Sequence, residues 1–232
     1  MSTNTRVIAA ADGSGQFAAY VAKPEGQGPW PAVVVVQEIF GVNANIRAVA
    51  EQYARDGFVA LALDLFWRLE PGVELGYTEA DRAKAYGLMQ RFDVDAGIAD
   101  IQSSIDALRA DADCDGRVGV VGFCLGGKMA YLSACHTNAD ASVGYYGVGL
   151  DALLDRAARI SKPLVLHIAE QDMLCPPEAQ AAIVAGLQSQ PLATSHLYPD
   201  VGHAFARVNG DHWAPEAAAL ANARTLAVLQ AM

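Results

Sequence analysis

Gly122-Phe123-Cys124-Leu125-Gly126-Gly127 stands between the apolar run Arg117-Val118-Gly119-Val120-Val121 and the segment Lys128-Met129-Ala130-Tyr131-Leu132. The run before it reads as a buried strand, and the pattern after it reads as a helix. Gly-x-Cys-x-Gly at a strand-to-helix junction has the form of a nucleophile elbow, with cysteine in place of the usual serine. So sharp a turn strains the backbone of its central residue, and side chains at Gly122 or Gly126 would collide with the neighbouring strand or helix. The sulfur would then sit at a helix N-terminus, where free N–H groups and the helix dipole stabilise negative charge. The letters from Gly122 to Lys128 also spell Gly-x-x-x-x-Gly-Lys, most of a phosphate-binding loop. Met129 stands where that loop needs Ser or Thr to reach magnesium, and Phe123 and Leu125 make a poor nest of backbone amides. Nucleotide binding is therefore the remote reading.

Working outward, Val7–Ala10 and Phe17–Ala22 flank Asp12-Gly13-Ser14-Gly15 and predict a hairpin. Ala32–Val36 and Phe58–Leu63 are apolar on both faces, as expected of strands inside a parallel sheet. Ile46, Val49, Ala50 and Tyr53 give Asn45–Arg55 a helical stripe, and Gly57 ends it. Further helices are expected over 78–90, 94–110, 150–158, 177–188 and 215–232, with strands over 142–147, 164–168 and 194–198. Strands alternating with helices predict an α/β fold, a mostly parallel central sheet with helices on both faces. No repeat or linker interrupts it, so residues 1–232 read as a single domain. The irregular stretch 64–76 is long enough to be a lid or a pocket wall.

The chain has 232 residues, 53% of them hydrophobic, and a net charge of −10. That charge argues against nucleic acid, whose phosphates need clustered Lys and Arg, and against anionic membrane surfaces. The start, Met1–Arg6, lacks a basic segment followed by an apolar core, and no apolar run approaches a membrane span, so a cytoplasmic location is expected. Cys114, Cys124, Cys135 and Cys175 show no zinc spacing and are expected to be reduced thiols. Nothing in the sequence demands a partner chain, which leaves a monomer as the expectation.

Ligands of open parallel sheets gather at the C-terminal ends of the strands. There this chain carries Gln37-Glu38-Ile39-Phe40-Gly41, then Cys124, then Ala169-Glu170-Gln171-Asp172, then Gly202-His203-Ala204-Phe205. Nucleophile, acid and histidine thus follow in the order Cys124, Asp172, His203, the order of the α/β-hydrolases. His203 would take the thiol proton and return one to the leaving group, while Asp172 would fix its tautomer. Glu170, in the same loop, competes for the acid role. The N–H groups of Leu125 and Ile39 are placed to hold an oxyanion. His136, His167, His196 and His212 fall in no corresponding loop.

Together, Gln-Glu-Ile-Phe-Gly at 37–41, Gly-Phe-Cys-Leu-Gly-Gly at 122–127, Asp172 after a strand and Gly-His-Ala-Phe at 202–205 resemble dienelactone hydrolase over nearly the whole chain. The resemblance implies an α/β-hydrolase domain, a Cys124–His203–Asp172 triad and no metal or organic cofactor. The implied chemistry is opening of an unsaturated lactone, dienelactone to maleylacetate, in the breakdown of chlorinated catechols. It also implies that Glu38 is held by an arginine until substrate arrives and then helps deprotonate the cysteine. Arg82 and Arg207 match family positions that hold the substrate carboxylate; a chain of charge −10 needs such local positive charge to accept a small anionic lactone or ester. Tyr86, one helical turn from Arg82, and Tyr145 are candidates for the pocket lining. The main alternative keeps the fold and the triad and acts as a carboxylesterase or thioesterase on another small activated ester.

Overall fold

The computed structural model describes residues 4–232. Met1–Thr3, part of the N-terminal segment read above as lacking a leader, lie outside them. The chain divides into two compact units, a first ending at Val120 and a second, Val121–Met232.

In the first unit β1 (Thr5–Ala9) and β2 (Gln16–Ala22) form the expected hairpin, with Val7 opposite Ala18. β2 runs antiparallel to β4 (Val59–Leu63), and β4 pairs in parallel with β3 (Trp30–Val36), Ala32 opposite Val59. The strand order is β1-β2-β4-β3-β5, where β5 is Cys114–Phe123. Ala32–Val36 and Val59–Leu63 are fully buried, as their two-sided apolar character requires. The helices begin where side-chain caps stand. Asn43 accepts the N–H of Ile46 ahead of α1 (Ala44–Arg55), Thr78 and Asp81 form a capping box on α2 (Glu79–Arg91), and Asp93 caps α3 (Val94–Arg109).

The stretch 64–76 is fastened along its length. Asp64 accepts the N–H groups of Phe66 and Gly72, and Leu75 donates to the carbonyl of Phe40. Trp67 and Arg68 both bond the buried carboxylate of Asp100, at 2.7 and 2.8–2.9 Å. A Cβ on Gly41 would lie 1.8 Å from the carbonyl oxygen of Val73, so only glycine lets the chain pass there.

β5 continues into the second unit, where the order is β5-β6-β7-β8. β6 (Ala141–Tyr145), β7 (Leu164–Ala169) and β8 (Ala193–Tyr198) run parallel. α4 (Leu125–His136) and α6 (Pro215–Gln230) pack on β6 and β7, and α5 (Pro177–Leu187) packs on β8. The helix expected over 150–158 is a 3-10 helix, Asp151–Arg159. Among the described residues, eight strands, mostly parallel, interleaved with helices make this an α/β chain. Among the described residues, no helix is long and apolar enough to cross a membrane.

Candidate active site

β5 ends at Phe123 and α4 begins at Leu125, so a single residue, Cys124, makes the turn. Its backbone has φ 56° and ψ −112°, a conformation that costs a non-glycine residue about 1–3 kcal/mol. The surroundings impose it. The Cys124 N–H donates to the carbonyl of Tyr145 at 3.0 Å, and the Cys124 carbonyl accepts the N–H of Lys128 at 3.1 Å, closing the first turn of α4. A Cβ on Gly122 would stand 1.8 Å from the carbonyl oxygen of Gly126, and one on Gly127 would stand 2.5 Å from that of Tyr145. Gly127 thus joins Gly122 as a position where the elbow requires glycine. Sequence reasoning had singled out Gly122 and Gly126.

Cys124 is buried, and its side chain takes no part in capping α4. Cys124 directly precedes α4, whose first N–H groups have no intrahelical acceptor. That of Leu125 is the first of them. Partial positive charge of about half a unit accumulates at such a terminus and favours an anion beside it.

His203 lies in the turn after β8, and Asp172 in the turn after β7. Nδ1 of His203 and Oδ2 of Asp172 are 2.7 Å apart, and the carboxylate is 1% exposed. The other oxygen of Asp172 accepts the N–H of Leu174 at 2.8 Å, which fixes the plane of the carboxylate. His203 also hydrogen-bonds the sulfur of Cys124. Burial, the largest single influence on the imidazole, acts to expel its proton. The bonds to Asp172 and Cys124 outweigh it and push the pKa up to about 10. Glu170, the competing acid, is exposed and bonds the N–H of Asp200 instead. The second unit therefore brings Cys124, His203 and Asp172 into one hydrogen-bonded row.

The remaining expected residues are placed as follows. Glu38 lies two residues beyond the end of β3 and is buried, as is Ile39 beside it. Arg82 lies in the first turn of α2, exposed, with Nε donating to the carbonyl of Tyr77 at 3.0 Å. Tyr86 on the same helix is 44% exposed. Arg207, four residues beyond His203, is buried, and its N–H donates to the carbonyl of Ala204. Tyr145 is fully buried, and its hydroxyl bonds Asn222 and Thr225 on α6, so its side chain lies in the core of the second unit.

Sequence reasoning missed Tyr146. Its φ of 38° turns the chain out of β6 and lays its ring edge-on against His203, with centroids 5.1 Å apart. Phe205 backs it at 5.7 Å. Two tyrosines at the end of an apolar strand were the available signal, but an even alternation assigns only one of them to each face. No group of His, Cys, Asp and Glu among the described residues is arranged to hold a metal ion.

Residues 17–232 match the dienelactone hydrolase family. A carboxymethylenebutenolidase of Pseudomonas sp. strain P51 is 40% identical, over 96% of this chain and 93% of its own length. Among solved structures, a Klebsiella pneumoniae protein assigned as a dienelactone hydrolase superposes with a TM-score of 0.85 at 25% identity, over 98% of both chains. The dienelactone hydrolase-like promiscuous phosphotriesterase P91, from metagenomic libraries, superposes with a TM-score of 0.80 at 24% identity, over 98% of this chain and 97% of its own, and speaks to the fold. The chain belongs to the dienelactone hydrolase family, hydrolases of the α/β-hydrolase fold.

Proposed function

We propose that the protein opens a small anionic, unsaturated lactone, dienelactone to maleylacetate, through a thioester on Cys124, and that it serves the breakdown of chlorinated catechols in the cytoplasm as a monomer. The observation that carries this reading is the position of His203 between the carboxylate of Asp172 and the sulfur of Cys124. Family membership and a carboxymethylenebutenolidase relative at 40% identity supply the substrate class.

In this reading Cys124 gives its proton to His203 and attacks the lactone carbonyl. The oxyanion rests on the N–H groups of Leu125 and Ile39. Collapse expels the enolate oxygen of the ring, which takes the proton from the His203 imidazolium and leaves as an enol that tautomerises to the ketone. A proton held to about pH 10 suits that donation. His203, now neutral, deprotonates a water that attacks the thioester, and the sulfur departs. One water is consumed and the product carries two carboxylates. Arg82 and Arg207 would hold the carboxylate already on the substrate, and Glu38 would assist removal of the thiol proton. Sulfur suits a leaving group that is already stabilised, because a thiolate leaves a tetrahedral intermediate more readily than an amine does. Peptide hydrolysis is not expected.

The test compares hydrolysis of dienelactone and of a short p-nitrophenyl ester by wild type and by Cys124→Ala. Loss of both activities in the variant, with dienelactone the better substrate of wild type, is the expected result. Full turnover by the variant would remove the nucleophile. Cleavage of the simple ester alone would move the protein to the general esterases.

A further inference from the structure

His167 was set aside by its sequence position, because it falls inside a strand. The fold places it at the centre of a buried polar row in the second unit. The residue is fully buried on β7, directly opposite Tyr145 in the β6–β7 register. Its Nδ1 lies 2.9 Å from the hydroxyl of Tyr198, and its Nε2 lies 3.0 Å from the hydroxyl of Thr225. Thr225 is in turn 2.6 Å from the hydroxyl of Tyr145, which donates to Oδ1 of Asn222 at 2.9 Å. At the other end Arg224 donates to the Tyr198 hydroxyl at 3.1 Å.

The chemistry of the donors orients the row. Arg224 can only donate, so the Tyr198 oxygen accepts from it, and the Tyr198 proton is left for Nδ1 of His167. If Nδ1 carried a proton instead, the Tyr198 hydroxyl, on a residue 2% exposed, would face a second donor and lose its acceptor, a cost of about 1–3 kcal/mol. His167 is therefore neutral and protonated at Nε2, from which it donates to Thr225. The Thr225 proton has two acceptors in reach, the Tyr145 oxygen and the carbonyl of Ala221 at 3.0 Å, and either choice leaves a lone pair for His167.

What this row holds in place is the catalytic edge of the unit. The carbonyl of Tyr145 receives the N–H of Cys124, and the carbonyl of His167 receives the N–H of Tyr146 at 2.8 Å. Tyr146 is the residue whose ring lies against His203. The ring of Tyr198 lies tilted against that of Phe205, centroids 4.9 Å apart, two residues beyond His203. One imidazole thus ties the supports of both Cys124 and His203 to the C-terminal helix.

We propose that the row Tyr198–His167–Thr225–Tyr145 is a positioning device that sets the orientation of Cys124 toward His203, with His167 and Thr225 as its positioning residues. The proposal deepens the reading of Cys124 as nucleophile and rests on it. Thr225→Val keeps the shape of the side chain and removes the hydroxyl that joins His167 to Tyr145. The variant should lose kcat by on the order of tenfold, with KM changed less than twofold, because misplacement of reacting groups lowers turnover more than binding. Iodoacetamide should also alkylate Cys124 more slowly, and Thr225→Ser should restore both. In wild type, imidazole nitrogen NMR should show His167 as the neutral Nε2–H tautomer across pH 5–9.

A Thr225→Val protein with lower thermal stability but wild-type kcat and alkylation rate would reduce the row to a structural one and overturn the proposal. An Nδ1–H tautomer would overturn the row itself. Should Thr225→Val fail to fold, Tyr145→Phe removes only the far hydroxyl, and the same kcat and alkylation measurements decide. Cys124→Ala assayed in parallel keeps the two failures apart. Retained turnover there defeats the nucleophile, whereas lost turnover beside an unaffected Thr225→Val defeats the positioning row alone.

Discussion

Nδ1 of His203 lies 2.7 Å from a carboxylate oxygen of Asp172 that water barely reaches. In so enclosed a setting the bond is charge-assisted and fixes which ring nitrogen faces the sulfur. Asp172→Asn keeps the shape and removes the charge. The variant should lose kcat by roughly 10²–10⁴-fold with little change in KM, as expected when a histidine loses the anion that orients it. Steady-state kinetics on dienelactone would check it, and wild-type kcat would assign Asp172 a structural role.

The His203 proton is held to about pH 10 against an ordinary histidine value of 6.5. In the proposed mechanism His203 is the donor to the leaving enolate, so activity should fall on the alkaline side as pH rises through about 10. Stability should follow the same sign. A histidine whose folded value is raised adds stability that is complete below pH 6.5 and is lost as pH rises through about 10. The urea midpoint should drop between pH 6 and pH 10.5, and by less in His203→Gln.

His167 shifts the other way. Burial first, then the nearby charges of His196 and Arg224, lower its value to about 3. The unfolded chain binds a proton there below pH 6.5 that the folded chain refuses until about pH 3, so stability should decline as pH falls across that interval. The Tyr198 and Thr225 hydroxyls facing its two nitrogens do not titrate in the interval. The urea midpoint should drop between pH 7 and pH 4.5, and by less in His167→Gln.

The elbow glycines offer a steric test. Gly127→Ala would set a Cβ 2.5 Å from the Tyr145 carbonyl, backbone that cannot swing aside as a flexible side chain would. A cost of about 1–3 kcal/mol is expected from such overpacking, together with loss of turnover, because the same carbonyl receives the Cys124 N–H. Gly122→Ala, at 1.8 Å from the Gly126 carbonyl, should cost more. Chemical denaturation would rank the two.

Much of this was legible because it is local. The apolar runs at 32–36 and 58–63, and the placing of Cys124, Asp172 and His203 just after strands, all lie within short windows of sequence. Strand ends were harder to read. β3 begins at Trp30 and Pro31, inside a stretch whose Gly and Pro content reads as loop, and β5 begins at Cys114, where its first residues face solvent and carry no apolar signature. Long-range partnership was not legible at all. His167 meets Thr225 across 58 positions of chain, and nothing near either residue announces the other. Tyr146 went unread because its positive φ breaks the alternation on which a strand's facing is judged. The roles expected of Glu38, Arg82 and Arg207 came from family resemblance, since a lone charged residue does not declare its ligand.

The strain at residue 124 has a consequence for how the protein can lose its function. The unusual backbone angle at the elbow is enforced by the Gly122 and Gly127 contacts and by the Tyr145 carbonyl, and it is the same for any L-amino acid standing there. Serine or alanine would fit that backbone as readily as cysteine does. A lineage in which the sulfur was replaced would keep the backbone of the elbow, and chaperones and proteases act on unfolded chains. The shape of the elbow therefore does not guard the proposed nucleophile, and demand for the reaction itself is what would preserve it.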